Sequence, residues 1–242
     1  ITTPVDFVIN QNFGNARNDR FYAIVFDDQN FDGVHDSTES PLADRELFAD
    51  VNGNGVRDTQ TDTFSDAPAA NITDLNLTTA TIDVTGLTSQ ILDVNVQVNI
   101  THTFTADLDV FLVHPDGTRV ELFTDVGGAG DDFIDTVVDD QAETAITAGT
   151  APFTGSFRPE GMLSALNGKS ANGVWTLEVF DDAGGDVGVL NSWGLIIETG
   201  EALAITDALG KAFFDMQPGS TTCISSVLTV GPTPFPSLEF DR

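Results

Sequence analysis

Between residues 92 and 100 the chain alternates apolar and polar side chains without a break. Leu92, Val94, Val96, Val98 and Ile100 share one parity, and Asp93, Asn95, Gln97 and Asn99 the other. Successive side chains of a strand point to opposite faces, so this pattern puts one face in a core and the other toward water. That is a half-buried antiparallel strand. The same rule runs through residues 79–84, Leu108/Val110/Leu112, Val120/Leu122, Trp175/Leu177/Val179 and Trp193/Leu195/Ile197. Glycines and a Pro-Asp-Gly turn at 115–117 separate the runs, and the one helix candidate is a turn near residues 162–166. The expected fold class is all-β, a sandwich of antiparallel strands.

Upstream of these strands lie two acidic stretches hinged on glycine. Asp28-x-Asn30-x-Asp32-Gly33-x5-Glu39 satisfies the whole twelve-residue pattern of an EF-hand loop. Asp28, Asn30 and Asp32 would supply side-chain oxygens, Val34 a carbonyl, Asp36 the ninth-position oxygen and Glu39 a bidentate pair. Gly33 sits where the chain must turn sharply. Starting at Asp50, the run Asp50-x-Asn52-x-Asn54-Gly55-Val56-x-Asp58 repeats the first nine positions, with the Val56 carbonyl in the seventh, but the twelfth is Thr61. Two closures are open. Asp62 stands one residue late and is in reach if the loop bulges. Glu201 lies far downstream, yet joining Asp58 directly to Thr199 reads DVNGNGVRDTGE, with Glu201 in the twelfth place. Asx-rich surface turns have a similar composition. A complete loop followed by a near-complete one favours two Ca2+ ions over that bland alternative. Residues 21–26 and 47–48 read as extended, so the loops lie between strands and not between helices. Residues 5–9 also alternate, with nothing local to pair against. They read either as the last strand of a preceding repeat, available for strand addition to a neighbouring copy, or as a strand folded back on its own domain.

With 9 Lys+Arg against 38 Asp+Glu, the formal net charge is −29. Such a charge excludes nucleic acid and anionic membrane as partners and opposes the compact state unless cations offset it. No apolar run is long enough for a membrane span. The single cysteine, Cys223, provides no internal disulfide, which leaves a metal as the available staple in an extracellular or cell-surface setting. Acids also crowd the loops at strand ends of the sandwich: Asp107, Asp109, Asp131, Asp132, Asp135, Asp139 and Asp140, then Asp181, Asp182 and Asp186. Either they are solvated acids, or a third cation sits there, held by Asp107 with Asp132 and Asp135. Three histidines offer little to catalysis. His35 falls in a solvent-facing slot of the first loop, His102 reads as a hydrogen-bonded histidine of the sandwich, and His114 is expected to face water before its turn. No serine or cysteine stands in a recognisable nucleophile motif beside them, and the expectation is that the chain is not an enzyme.

Several longer motifs carry a resemblance. Ile100-Thr-His-Thr-Phe, Ala106-Asp-Leu-Asp-Val-Phe-Leu, His114-Pro-Asp-Gly-Thr, Gly155-x-Phe-Arg-Pro-Glu, Leu163-Ser-Ala-Leu-Asn-Gly, Ala171-Asn-Gly-Val-Trp-Thr-Leu-Glu-Val and Gly188-x-Leu-Asn-Ser-Trp-Gly-Leu follow in order over residues 66–198. Together they resemble the proprotein-convertase P domain, which implies a jelly-roll-like β-sandwich that accompanies and stabilises a protease. The flanks, Phe26-Asp-Asp-Gln-Asn-Phe-Asp-Gly-Val-His-Asp and Phe48-Ala-Asp-Val-Asn-Gly-Asn-Gly-Val-Arg-Asp, resemble the calcium-binding B repeats of serine-aspartate-repeat surface adhesins. Ala204-Ile-Thr-Asp-Ala-Leu-Gly-Lys-Ala-Phe-Phe-Asp and Gln217-Pro-Gly-Ser resemble the second half of such a repeat. The resemblances imply a discontinuous calcium-binding β domain, residues 1–60 and 199–242, interrupted by a P-domain-like sandwich at 61–198. The function expected is a non-catalytic, calcium-stabilised module for adhesion or assembly. Its partners would be neighbouring repeats, copies of itself or other surface proteins. A protease-accessory fragment and a carbohydrate-binding sandwich remain the alternatives.

Overall fold

The computed structural model describes residues 7–10, 20–30, 35–50, 56–87, 89–215 and 227–230. Its strands in chain order begin with β1 (Phe7–Asn10), β2 (Arg20–Val25) and β3 (Glu46–Asp50). Next come β4 (Thr59–Asp66), β5 (Ala70–Ile72), β6 (Asn76–Val84), β7 (Gln90–His102), β8 (Leu108–Val113), β9 (Arg119–Thr124) and β10 (Phe133–Val138). The series closes with β11 (Phe153–Phe157), β12 (Gly173–Asp181), β13 (Gly188–Gly200), β14 (Leu203–Ile205), β15 (Lys211–Asp215) and β16 (Val227–Val230). Three short 3-10 turns, Thr105–Asp107, Ile146–Ala148 and Leu163–Leu166, are the helical elements among the described residues. The third sits where the sequence placed its one helix candidate. No described helix is long and apolar enough to cross a membrane.

The chain divides into two compact units, residues 1–59 with 200–242, and residues 60–199. In the second unit, one sheet runs in the order β11-β10-β7-β13-β4 with β5 on β13, and the other in the order β6-β12-β8-β9. Alternate residues of the central strands face inward. Val94, Val96, Val98 and Ile100 of β7 join Trp193, Leu195 and Ile197 of β13 in one buried cluster. Leu108, Val110 and Leu112 of β8, with Trp175, Leu177 and Val179 of β12, complete it. Phe133 stacks between Phe123 and Phe153, with ring centroids 4.5 and 4.7 Å apart, so the chain crosses from β9 to β10 and β11 along an aromatic column.

The alternation departs from expectation at the start of β7. Ile91 is fully buried and Leu92 only half so. The Ile91 amide donates to the Lys169 carbonyl and its own carbonyl accepts from Gly168, so the first residues of the strand answer to the loop after the third 3-10 turn. Period-two burial resumes at Val94.

The first unit holds two three-stranded sheets, β1-β2-β15 and β14-β3-β16. Ala23, Val25, Phe26, Leu47, Phe48, Ala212 and Phe214 are its buried apolar residues among those described. Each sheet takes strands from both limbs: Lys211 pairs with Ile24, and Leu203 with Phe48. Of the segment at 5–9, read either as a strand for a neighbouring copy or as one folded back on its own domain, residues 7–9 are described, and they take the second course. Phe7 to Asn10 pair antiparallel with Val25 to Tyr22, because β2 presents a free edge on the side away from β15.

Where β13 begins, beside β5, the backbone passes very close to its neighbours. A Cβ added at Gly188 would lie 2.2 Å from the Thr101 carbonyl oxygen and 2.6 Å from Cδ2 of buried His102. Neither group is the loose end of a flexible side chain. Gly188→Ala is expected to destabilise the fold by about 1–3 kcal/mol, read as a lower urea midpoint at unchanged slope.

Candidate functional site

The first acidic loop leaves β2 and is pinched at its base. The Asp27 amide donates to the Ser40 carbonyl, and the Leu42 amide to that of Val25. Inside the loop Asp28 is fully buried and Glu39 is 5 % exposed. Glu39 Oε1 accepts the Gln29 amide at 3.2 Å and Oε2 the Asp36 amide at 3.1 Å, while the Glu39 amide donates to the Asp36 carbonyl at 3.3 Å. Asp36 takes the Thr38 hydroxyl and amide on Oδ1, which hold its carboxyl below the ordinary value of 3.8 and keep it charged. Asn30 donates to Asp36 Oδ2 at 3.4 Å. His35 packs its ring 4.8 Å from that of Phe26, so it is half-buried where a solvent-facing position was expected. Asp32 and Val34 lie outside the described residues.

The second loop starts from Asp50 at the end of β3, whose side chain, like all of Asn52 and Asn54, is outside the description. Val56 and Asp58 are exposed, and Glu201 is 4 % exposed. The Asp58 amide donates to Glu201 Oε2 at 3.1 Å, the Glu201 amide donates to the Asp58 carbonyl at 3.1 Å, and Arg57 Nε donates to the Glu201 carbonyl at 3.2 Å. Asp62 sits within β4, where Oδ1 accepts from Gln60 Nε2 at 3.1 Å and Oδ2 is buried without a hydrogen-bond partner.

The three acids expected to share a further cation are used separately. Asp132 Oδ1 accepts the His102 amide, and Asp135 Oδ1 accepts Asn99 Nδ2. Both hold positive φ, 69° and 46°. Asp107, buried at the end of the first 3-10 turn, faces Asp181, Asp186 and Asp182 instead. Burial raises its pKa, Asp181 and then Asp186 raise it further, and His102 opposes them. Among the described residues no three His, Cys, Asp or Glu side chains are gathered so as to hold a metal ion.

His102 is fully buried, with Nδ1 2.9 Å from the Phe104 carbonyl oxygen and Nε2 3.3 Å from Oδ2 of the equally buried Asp181. Reading the sequence did not single out this partner. The only signal was its place at the end of the Trp175/Leu177/Val179 strand, on the inward parity. His114, expected to face water, is buried. Its ring meets Trp175 edge-on at 4.7 Å, Nε2 reaches the Ser170 carbonyl, and Nδ1 accepts the Asp116 amide as the turn folds back. The ring that opens a Pro-Asp-Gly turn is captured by the tryptophan beneath it.

Residues 91–197, all within the second unit, match the family model of the proprotein convertase P-domain. Leupeptin-inactivating enzyme 1 of Streptomyces exfoliatus is similar, at 34 % identity over 131 residues, which is 53 % of this chain and 22 % of that protein. The chain thus spans about a fifth of the length of that relative. Among solved structures, the serine protease of Aeromonas sobria aligns with 60 % of this chain and 28 % of its own, at 22 % identity and a TM-score of 0.41. The complex of that protease with its chaperone aligns over the same shares at 23 % identity and a TM-score of 0.42.

The acids around Asp107 make a sign-definite statement about pH. A carboxyl whose folded pKa is raised above 3.8 holds its proton more tightly when folded. Its contribution to stability is complete below the unfolded value and is lost as pH rises through the folded one. In chelator, Asp107→Asn is therefore expected to raise Tm at pH 7, with the gain fading as pH is lowered toward 3.8. A gain independent of pH would point to packing in place of charge.

Proposed function

We propose that the chain is a non-catalytic, calcium-stabilised structural module of a secreted or cell-surface protein, serving adhesion or assembly. The observation that carries this reading is Glu39. Its carboxylate is 5 % exposed, its partners are backbone amides, and no Lys, Arg or His pairs with it among the described residues. A buried carboxylate without a counter-charge is costly, and a bound cation removes that cost. The loop motif offers oxygen donors in Asp28, Asn30, Asp36 and Glu39, residue types that suit a hard cation such as Ca2+, and binding would have to draw their side chains together. When bound, the ion supplies positive charge to a chain of net charge −29 that has few basic residues to spare.

Assembly with copies of the chain, neighbouring repeats or other surface proteins is supported by β14. This strand lies on the edge of its sheet and exposes Leu203 and Ile205, the latter 63 % exposed. An edge carrying apolar side chains suits strand addition. A non-catalytic role is supported by the histidine geometry, since the ring nitrogens of His102 and His114 are taken by carbonyls, an amide and carboxylates. A second reading, an accessory part of a protease, is favoured by the P-domain match over residues 91–197. It predicts that adding the chain slows thermal loss of a separate protease's activity.

Calcium at about a hundred times its Kd is expected to stabilise the protein by about 2.7 kcal/mol, seen as a higher Tm that falls back when chelator is added. Glu39→Gln should shrink the calcium-dependent gain while leaving the melt in chelator nearly as it was. A wild-type melt indifferent to calcium and chelator rules the reading out.

A further inference from the structure

We infer that the outer face of the sheet β6-β12-β8-β9 docks an amphipathic helix of a partner protein, apolar along one stripe and rimmed by lysine or arginine. This gives the assembly reading above a partner and rests on that reading. On each central strand one parity is buried: Ile82 and Val84 of β6, Leu177 and Val179 of β12, Val110 and Leu112 of β8. The other parity faces out, and a sheet with one face in the core is expected to be polar there. The registers instead bring apolar groups together. Leu77 lies beside Phe180, Glu178 beside Phe111, and Thr176 beside Val113. Leu77 is 49 % exposed, and Val174, the next outward residue of β12 after Thr176, is 53 % exposed. Phe111 is half-buried under the Arg119 guanidinium, which lies 3.3 Å from its ring centroid. The opposite sheet shows the ordinary case, since the outer parity of β7 reads Asp93, Asn95, Gln97 and Asn99. A single exposed apolar residue means little, but a group shared by β6, β12 and β8 marks a contact surface.

Charge and size name the occupant. Asp83, Asp109, Glu121 and Glu178 share the outer face with these apolar side chains. Arg119 stands against them, and Glu178 already holds its Nε at 2.8 Å. Asp109 sits above its ordinary pKa of 3.8 through burial and then through the charges of Asp182, Asp125 and Glu121, with Arg119 opposing, so negative potential gathers at that end of the face. A basic side chain arriving there meets an attractive field and relieves the crowding of acids. A second copy of this chain, with its net charge of −29, is repelled. Strands about 4.8 Å apart, rising about 3.3 Å per residue, make the face roughly 15 Å wide and 20 Å long. One helix, about 10–12 Å across with its side chains, covers it.

The probe is a synthetic peptide of leucine and lysine in helical period, titrated into the full chain by fluorescence anisotropy and mapped by amide chemical shifts. Saturable binding is expected, with the shifts concentrated at residues 77–83, 109–113 and 174–180. The double variant Leu77→Thr, Val174→Thr keeps strand-favouring residues at both exposed positions and should weaken binding by about tenfold. Ile205→Thr, at an exposed position of the first unit, should leave binding unchanged. Polylysine should not distinguish wild type from the double variant, and the peptide with glutamate in place of lysine should not bind. Equal affinity of the leucine–lysine peptide for wild type and double variant overturns the inference. Shifts centred on the outer parity of β7 or on the first unit overturn it even if the double variant folds poorly. So does a free wild-type chain that sediments as a dimer which the double variant dissolves, because the face then belongs to a second copy. Melts with calcium and chelator test the reading beneath this inference separately, so failure of one is told apart from failure of the other.

Discussion

The peptide groups of Asp58 and Glu201, 143 positions apart in the chain, meet amide to carbonyl. The architecture of the first unit follows from that meeting. β14 and β15 come after it, and their partners β3 and β2 come before it. β16 likewise pairs with β3. Neither three-stranded sheet exists within a single limb, so the first unit is held by contacts between chain segments far apart in sequence. The buried side chains of Phe26, Leu47 and Phe48 from one limb and of Ala212 and Phe214 from the other form its interior. The second unit has no such dependence, since all of its strands lie in one contiguous stretch.

That contrast explains what could be read from residues alone. Strict alternation in β7, β8, β12 and β13 reports sidedness directly, and their inward sets, from Val94 to Ile100 and from Trp193 to Ile197, are the buried ones. Pattern fails where a residue answers to something other than its own strand. Ile91 is buried because a loop claims its peptide groups, and His114 because Trp175 lies under the turn. The pairing of β1 with β2 was hidden for another reason. An unpaired edge belongs to the partner strand, and nothing in residues 5–9 reports it.

The acidic loops carry a different kind of signal. Ligand patterns fix residue type at fixed spacing, so Asp28 to Glu39 could be read without any fold in mind. What spacing could not show is the amide bonding of the glutamates, or that Asp132 and Asp135 are engaged by His102 and Asn99 instead of sharing a point with Asp107. Acids close in sequence were sorted by the backbone into different tasks. Positive φ at Asp132 and Asp135 turns the chain at both residues.

The order of the strands has a consequence for how the chain is made. On the ribosome, β1, β2 and β3 emerge before the second unit, with β1 and β2 able to pair at once but with β3 lacking both of its neighbours. The 140-odd residues of the second unit follow as a contiguous body that can close before the rest is synthesised. Only when residues after Gly200 appear do β2 and β3 acquire β15, β14 and β16. Of the two units, the one whose first strands are made earlier is thus the last to be finished, and until then its strand edges stay open to wrong partners.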